Sequence, residues 1–322
     1  LYAYVNTIQK YFGSSSYLSA STSTAKNGCV ELGYVTTSEY IKVSQRAITG
    51  ISTLSFSIKK IATMNSVNDS RYEGKNPNNY VWFNNEYWRI IGVFDSSSHG
   101  QSGNLVKIIR ADVLDGLAWH KSNTNDWTAA SLNSLLNGAY YNAQDGTSSG
   151  YCYGYITTAT ANCDYTKKGI QPGYRSLIAK VTWYLGGSSS SFATAESFYE
   201  YERGNTVYGG SPTSTTGYIG LMYPSDYGYS VLSSSCARTT NLGSYNSSSC
   251  ACQSWLYGEG HEWTLSPRPL DSSNVFYLIS DGSLSFYSAV DGNGVRPVLY
   301  LDSSVYVIDG DGSLNNPYII GM

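Results

Sequence analysis

Residues that could carry acid–base or metal chemistry are few in this sequence. It contains three histidines, His99, His120 and His261. Only His261 has acidic neighbours, Glu259 and Glu262, but the second histidine that a zinc-protease helix requires is missing, and glycines flank Glu259. This pattern favours an exposed polar turn over a metal site.

Nucleophiles and paired carboxylates are equally sparse. Ser148 lies in a Gly-Thr-Ser-Ser-Gly segment, but polar residues precede it, whereas a nucleophile elbow follows a buried strand. Glu200 and Glu202 lie two positions apart and would not face each other on a helix, as a glycosidase pair must. Cys252 and His261 form the only Cys–His pair that is close in sequence. We therefore predict no catalytic residues and no enzyme activity.

An acidic segment near the carboxyl end has the spacing of a calcium loop. Asp309, Asp311 and Ser313 place oxygen atoms at alternating positions, but the bidentate Glu at the twelfth position is absent. A tight turn is therefore favoured, and these three residues remain the candidate calcium ligands. We predict no cofactor, since no glycine-rich phosphate-binding motif occurs either.

Aromatic residues are unusually abundant, with 31 Tyr and 7 Trp. Lectins stack the CH face of a sugar ring on an aromatic ring and bond its hydroxyls with nearby polar groups. The alternative is that these rings fill the core or a subunit interface. The candidate sugar-binding residues are Tyr223, Asp226, Tyr227, Trp255 and Tyr257.

Six cysteines in close pairs predict disulfides. We expect Cys152 to pair with Cys163, and Cys236 to pair with Cys250 or Cys252. Cys29 would pair with whichever of the last two remains. Each short loop closed in this way would contribute about 3 kcal/mol in the chain-entropy model.

The composition is typical of an exported protein. Only 13% of residues are charged, against about a quarter in average globular chains. The net charge is −3 and no basic run exceeds two residues, so nucleic acid is excluded as a partner. No apolar run reaches the eighteen or so residues of a membrane span. Asn68 and Asn246 begin Asn-X-Ser patterns and are candidate glycosylation sites.

Strand patterns dominate the elements that must position these residues. The runs 275–279, 284–290, 295–301 and 305–308 alternate with Asp-Gly turns and predict a four-stranded meander. Asn84 and Asn85 predict a type I′ hairpin, with a third strand over 104–111. Helices are predicted over 125–138 and 192–203, a short buried strand over 218–223, and an irregular loop over 224–230.

The amino-terminal segment has helical periodicity. Apolar residues recur at spacings of three and four from Leu1 to Phe12, and Gly13 supplies a stop. This segment is either a short amphipathic helix or the lower end of a pilin helix. We predict a β-rich α+β fold with residues 1–69 as an amino-terminal helix plus a small β region. Residues 70–322 would then form a large antiparallel-sheet domain.

Several motifs resemble a known family. They include Arg-Tyr-x-Gly-x-Asn-Pro-Asn-Asn-Tyr-Val-Trp-Phe from Arg71, Ile-Gly-Leu-Met-Tyr-Pro-Ser-Asp-Tyr-Gly from Ile219 and Gly-Val-Arg-Pro-Val-Leu-Tyr-Leu from Gly294. Residues 70–318 resemble uncharacterised exported proteins of low-GC Gram-positive and wall-less bacteria, many with a type IV prepilin-like start. The last block is also similar to the closing strands of C-type-lectin-like and formylglycine-generating-enzyme-like folds. The resemblance implies a surface location and no established activity.

The sequence leads to three hypotheses for the function of this protein. The first is an extracellular structural subunit, pilin-like or filament-forming, with further copies of itself as partners. The second is a monomeric carbohydrate-binding surface adhesin. The third, a formylglycine-generating-like enzyme, would require a free cysteine near the carboxyl end, and no cysteine follows Cys252.

Overall fold

The computed structural model describes residues 69–155, 160–232, 236–247, 249–258 and 260–322, together with the backbone of three short strands nearer the amino terminus. These strands are β1 (Tyr40–Val43), β2 (Leu54–Ser57) and β3 (Ile61–Thr63), and β1 pairs antiparallel with β2. The predicted amino-terminal helix, Cys29 and Asn68 lie outside the described residues.

The largest sheet contains β3 and eight further strands. These are β4 (Ser70–Tyr72), β5 (Tyr80–Phe83), β6 (Glu86–Phe94), β7 (Leu105–Arg110), β11 (Ile219–Gly220), β16 (Val298–Tyr300), β17 (Tyr306–Asp309) and β18 (Tyr318–Gly321). Their order is β11-β16-β7-β6-β5-β18-β17, with β4 between β3 and β6. β18 runs parallel to β5. β3 lies before the predicted domain boundary at residue 70, yet it extends this sheet by pairing with β4.

The β5–β6 hairpin confirms the type I′ turn predicted from Asn84 and Asn85. Both residues have positive φ, 56° and 61°, as this turn requires, and Phe83 pairs with Glu86 across it. Asn84 is buried, and its amide donates to the carbonyl of Gly169 and accepts from the backbone of Gln171. Local turn chemistry and tertiary contacts therefore support the same conformation.

A second sheet has five strands in the order β14-β13-β12-β15-β8. They are β8 (Gly116–Ala118), β12 (Glu262–Pro267), β13 (Asn274–Leu278), β14 (Leu284–Ser288) and β15 (Gly292–Gly294). A separate two-stranded sheet pairs β9 (Val181–Tyr184) with β10 (Ser214–Gly217). The β-rich α+β class predicted from the sequence is confirmed for the described residues. The predicted antiparallel arrangement is corrected, because both larger sheets are mixed: β18 runs parallel to β5, and β12 runs parallel to β15.

The predicted four-stranded meander at the carboxyl end is wrong. β13 and β14 form the expected hairpin, but β15 stays in the five-stranded sheet, β16 pairs with β7 in the large sheet, and β17 pairs with β18. Pro297 lies at the crossing from one sheet to the other. It has no N–H to donate, and its carbonyl accepts from the backbone of Arg110 in β7. The chain is thereby directed out of one sheet and into the other.

Helices are short. They are α1 (Ser96–His99), α2 (Ser131–Leu135), α3 (Ala195–Arg203) and α4 (Pro224–Ser230), with a π-helical turn over Leu136–Tyr140 and 3₁₀ turns over Pro172–Leu177, Leu242–Ser244 and Ala251–Gln253. The predicted helix over 192–203 is confirmed as α3, capped by Thr194. The predicted helix over 125–138 begins only at Ser131, because the amide of Asn125 instead donates to the carbonyls of Arg268, Asp271 and Asn274.

The irregular loop predicted over 224–230 is wrong, since this segment is the helix α4. Pro224 occupies its first turn, where a missing N–H costs nothing, and Asp226 accepts from the backbone N–H of Tyr223 to cap it. All seven residues of α4 are buried. The helix is therefore an element of the core.

Tryptophan side chains tie the layers of the core together. Trp88, Trp119, Trp127, Trp183 and Trp263 are at most 1% exposed. Trp119 donates to the carbonyl of Thr264 and Trp263 donates to the carbonyl of Leu117, so the two segments bond to each other reciprocally. None of the helices in the described part of the chain has the length and hydrophobicity that a bilayer-spanning segment needs.

Candidate functional site

Two disulfides fix loops of the described chain. Cys152 bonds to Cys163 and Cys236 bonds to Cys250, which confirms the first predicted pair and resolves the choice left open for Cys236. Cys252 has no disulfide partner among the described residues, and its Sγ contacts the carbonyl of Ser249 at 2.9 Å. Its pairing with Cys29 stays a prediction.

A cleft of about 240 Å³ opens between the β5–β6 hairpin and the segment before β12. The segment before β12 contributes two of the predicted sugar-binding residues, Trp255 and Tyr257. The hairpin contributes Tyr80, Tyr87 and Arg89. A neighbouring cavity of about 230 Å³ shares Asp112 and Arg296 with the cleft and reaches His261.

Strand register supplies one wall of the cleft. Tyr80 pairs with Arg89 and Trp82 pairs with Tyr87, so these four side chains share one face of the hairpin, while the intervening residues point into the core. Tyr87 is 37% exposed, and its ring packs edge-on against those of Tyr80 and Trp82, with centroids 6.0 and 5.0 Å away. The wall therefore presents aromatic surface to solvent.

The opposite wall is held by hydrogen bonds from its aromatic side chains. Trp255 Nε1 donates to the carbonyl of Tyr72 at 3.0 Å, and only 5% of the residue is exposed. The hydroxyl of Tyr257 donates to the carbonyl of Ser280 at 2.7 Å. Both rings are thus fixed in place before any ligand arrives, which lowers the entropic cost of binding.

Arg89 lies between the two walls. Its guanidinium carbon is 4.3 Å from the ring centroid of Tyr80 and 4.5 Å from that of Trp255. Its Nε donates to Asn79 Oδ1 at 2.8 Å and its Nη2 to the carbonyl of Pro77 at 3.3 Å. The residue is 8% exposed, and burial, with a smaller effect from Arg296, lowers its pKa to about 10. It is still charged at neutral pH.

Arg296 forms the second cationic group of the cleft. Its Nε donates to Glu262 Oε1 and its Nη2 to the carbonyl of Leu256, both at 2.7 Å. Burial raises the pKa of Glu262 even though Arg296 opposes the shift. Arg296 therefore favours the ionised form of Glu262, whereas burial disfavours it.

The hairpin residues of the cleft are absent from the site residues predicted by sequence. A usable signal is present, because Arg89 interrupts the otherwise apolar strand from Trp88 to Phe94. A charged residue inside such a strand must be paired or must face a polar site. Tyr87 lies two residues before Arg89 and therefore on the same face of the strand. Tyr80 lies opposite Arg89 on the paired strand of the hairpin.

Three predicted sugar-binding residues lie in the core, which corrects the expectation that they are exposed. Tyr223, Asp226 and Tyr227 are at most 1% exposed. The Tyr223 hydroxyl donates to the carbonyl of Tyr184, and the Tyr227 hydroxyl donates to that of Gly282. The prediction fails because the segment expected to be a surface loop is the buried helix α4.

Asp226 belongs to a buried charge cluster. Its Oδ2 accepts from Lys107 Nζ at 2.5 Å, and its Oδ1 lies 3.6 Å from Arg71 Nη2. Burial alone would raise the pKa of Asp226, but Lys107 and Arg71 hold it below its usual range, and burial lowers the pKa of Lys107. Lys107 and Asp226 have no exposed side-chain surface, so this cluster joins α4 to the large sheet and is closed to solutes.

Glu202 lies beside that cluster at the end of α3. Its Oε1 accepts from the backbone N–H of Ser225, its Oε2 accepts from the Ser225 hydroxyl, and Arg203 Nη1 lies 3.3 Å from Oε2. Burial raises the pKa of Glu202 to about 7, against the opposing effect of Arg203. The carboxyl links α3 to the start of α4.

The candidate calcium ligands lie in the tight turn that the sequence favours. Asp309 Oδ1 accepts from the backbone of Gly310, and Asp311 Oδ1 accepts from that of Ser313. Gly310 has a positive φ of 93°, which explains a glycine there. In the described part of the chain, no group of three or more His, Cys, Asp or Glu side chains is placed to hold a metal.

The remaining candidates lie apart from one another. His261 is exposed at the edge of the neighbouring cavity and stacks on Tyr277 with centroids 5.6 Å apart. Ser148 is an exposed turn residue. Asn246, the glycosylation candidate inside the described residues, is half-buried.

Comparison of the chain with protein-family models, with curated proteins and with solved structures found no match. A functional assignment therefore depends on the geometry of the cleft itself.

Proposed function

We propose that this chain is a non-enzymatic extracellular protein of the cell surface that binds carbohydrate in the cleft of Tyr80, Tyr87, Arg89, Trp255 and Tyr257. The observation that carries this proposal is the arrangement in one cleft of three partly exposed tyrosine rings, the buried ring of Trp255 and the fixed guanidinium of Arg89. Sugar rings present CH faces that pack on aromatic rings and hydroxyls that bond to guanidinium and backbone groups. The walls offer both kinds of surface.

Support for the extracellular location comes from the cysteines and the composition. Disulfides persist in oxidising compartments, and two form here. The low fraction of charged residues points the same way. The filament-forming hypothesis depends on the amino-terminal helix, which lies outside the described residues, so assembly into filaments stays a prediction.

A glycan array followed by titration calorimetry tests the proposal. We expect at least one class of oligosaccharide to bind, and Tyr87→Ala and Tyr257→Ala to weaken that binding about tenfold, which corresponds to about 1.4 kcal/mol. Tyr208→Ala is the matched control, because Tyr208 is 42% exposed and does not line the cleft. A silent array, or cleft variants that bind as tightly as the control, would overturn the proposal.

A further inference from the structure

The charges around the cleft do not balance. Two guanidinium groups, those of Arg89 and Arg296, line it, whereas among the described residues one buried carboxylate, Glu262, lies against them. Asp112 also lines the cleft but is exposed at its surface. The described residues of the buried part of the cleft therefore carry an excess positive charge.

Arg89 is the source of this excess. No carboxylate of the described residues lies within 4 Å of its nitrogens, and its hydrogen-bond acceptors, Asn79 and Pro77, are neutral. Buried charges in proteins are normally paired, because removing an ion from water without a counter-charge is costly. The aromatic rings of Tyr80 and Trp255 offset part of this cost but supply no negative charge.

Both arginines keep one nitrogen for a ligand. In Arg89 and in Arg296 the hydrogen bonds to the rest of the protein use Nε and Nη2, and within the described part of the chain Nη1 of neither has an acceptor. Arginine is suited to carboxylates because its planar donors match the two carboxylate oxygens. Two such groups in one cleft form a receptor for a single anionic group.

We infer that the cleft takes an acidic saccharide, whose carboxylate accepts hydrogen bonds from Nη1 of Arg89 and Nη1 of Arg296 while its ring packs on Tyr87 or Tyr257. This inference rests on the proposed carbohydrate-binding function and names its ligand class. An anion in this position would supply the counter-charge that Arg89 lacks. It would also offset the repulsion between the two arginines, which contributes to the lowered pKa of Arg89.

The test compares acids with their own esters on the wild-type chain. Oligosaccharides ending in glucuronate, galacturonate or N-acetylneuraminate are titrated beside the corresponding methyl esters, which keep the sugar but remove the charge. We expect at least one acid to bind about tenfold or more tightly than its ester, with a preference that weakens between about 50 and 500 mM NaCl as ionic screening increases. Equal binding of every acid and its ester would overturn the inference while leaving carbohydrate binding intact. Absence of binding to all acidic and neutral sugars would overturn both.

A substitution at Arg89 tests whether this residue supplies the positive charge that binds the carboxylate of the ligand. Arg89→Gln keeps a donor near Asn79 but removes the cation, so the preference for the acid over the ester should fall at least fivefold. Lys75→Gln removes the same charge from an exposed position outside the cleft and should leave the preference unchanged. An unchanged preference in folded Arg89→Gln would overturn the assignment to Arg89. If this variant does not fold, the acid–ester comparison on the wild type still decides the inference.

Discussion

The guanidinium carbon of Arg89 lies 4.5 Å from the ring centroid of Trp255, and this contact joins the two walls of the cleft. Arg89 comes from β6, whereas Trp255 comes from the segment before β12, more than half the chain away. Trp255 is in turn bonded to the carbonyl of Tyr72 in β4. The cleft is thus anchored to the large sheet on both sides, and its shape depends on the fold of the whole β-rich region.

The buried cluster around Asp226 should be sensitive to loss of the carboxylate that Lys107 and Arg71 share. Asp226→Asn removes the carboxylate paired with Lys107 and leaves Arg71 with Asp69, at 3.9 Å, as its counter-charge, so we expect it to lower the free energy of unfolding by about 3–5 kcal/mol. Lys107→Met should cost less, because Arg71 still faces the carboxylate. Urea unfolding measures the free energy of unfolding of both variants.

Glu73→Gln, which breaks a partly exposed pair with Arg238, is the control and should cost about 1 kcal/mol or less. Equal effects of all three variants would contradict this interpretation of the cluster.

Glu202 should make stability depend on pH. Its pKa is about 7 in the folded chain against an ordinary value of 4.5, so the folded state binds the proton more tightly. Stability contributed by this proton is present below about pH 4.5 and is lost as the pH rises towards 7. Glu202→Gln should therefore flatten the pH dependence of the unfolding free energy between about pH 4.5 and 7. Glu200→Gln, at an exposed position, should leave the wild-type slope, and an unchanged slope in Glu202→Gln would show that burial does not shift this carboxyl.

The disulfides should contribute measurably to stability. Replacing Cys152 and Cys163 together by Ser should lower the free energy of unfolding by about 2–4 kcal/mol, because the unfolded chain loses a closed loop. Guanidinium unfolding without reductant measures this difference. Non-reducing peptide mapping of the full chain should find Cys152–Cys163, Cys236–Cys250 and the still-predicted Cys29–Cys252. Free thiols at the last two positions would refute that third pairing.

The hairpin turn should tolerate glycine better than alanine. Asn84 has a φ of 56°, a conformation that costs an alanine roughly 1–2 kcal/mol and a glycine little. Both substitutions lose the side-chain bonds to residues 169 and 171, so the difference between them isolates the backbone effect. Thermal unfolding should rank wild type above Asn84→Gly and Asn84→Gly above Asn84→Ala. Equal midpoints for the two variants would mean that the turn relaxes to another conformation.

Local chemistry in the sequence accounts for the features that are predicted correctly. The Asn84–Asn85 turn, α3 and the Cys152–Cys163 pair each depend on residues close together in the chain. The split of the last strands between two sheets depends instead on which strand β16 meets, and β7 lies far from it in sequence. The pattern of apolar and turn residues is the same in either arrangement.

The candidate site also contains residues whose position the sequence predicts correctly and residues whose position it does not. Trp255 and Tyr257 are predicted from their residue type, and both line the cleft, although Trp255 is buried. Tyr223 and Tyr227, predicted on the same grounds, are buried in and beside α4 and do not line it. Residue type cannot separate these cases, because tyrosine satisfies a core position and a binding surface equally well once its hydroxyl has a partner. The role of Arg89 can be inferred only from the structure, which shows that its hydrogen-bond acceptors, Asn79 and Pro77, are neutral.

Hydrogen–deuterium exchange of the full chain, with and without the acidic oligosaccharide that binds best, tests the central claim most directly. We predict that protection on binding concentrates in residues 79–90 and 254–258, the two walls joined by Arg89 and Trp255. Protection confined to other segments, with these two unchanged, would contradict the assignment of this cleft as the binding site.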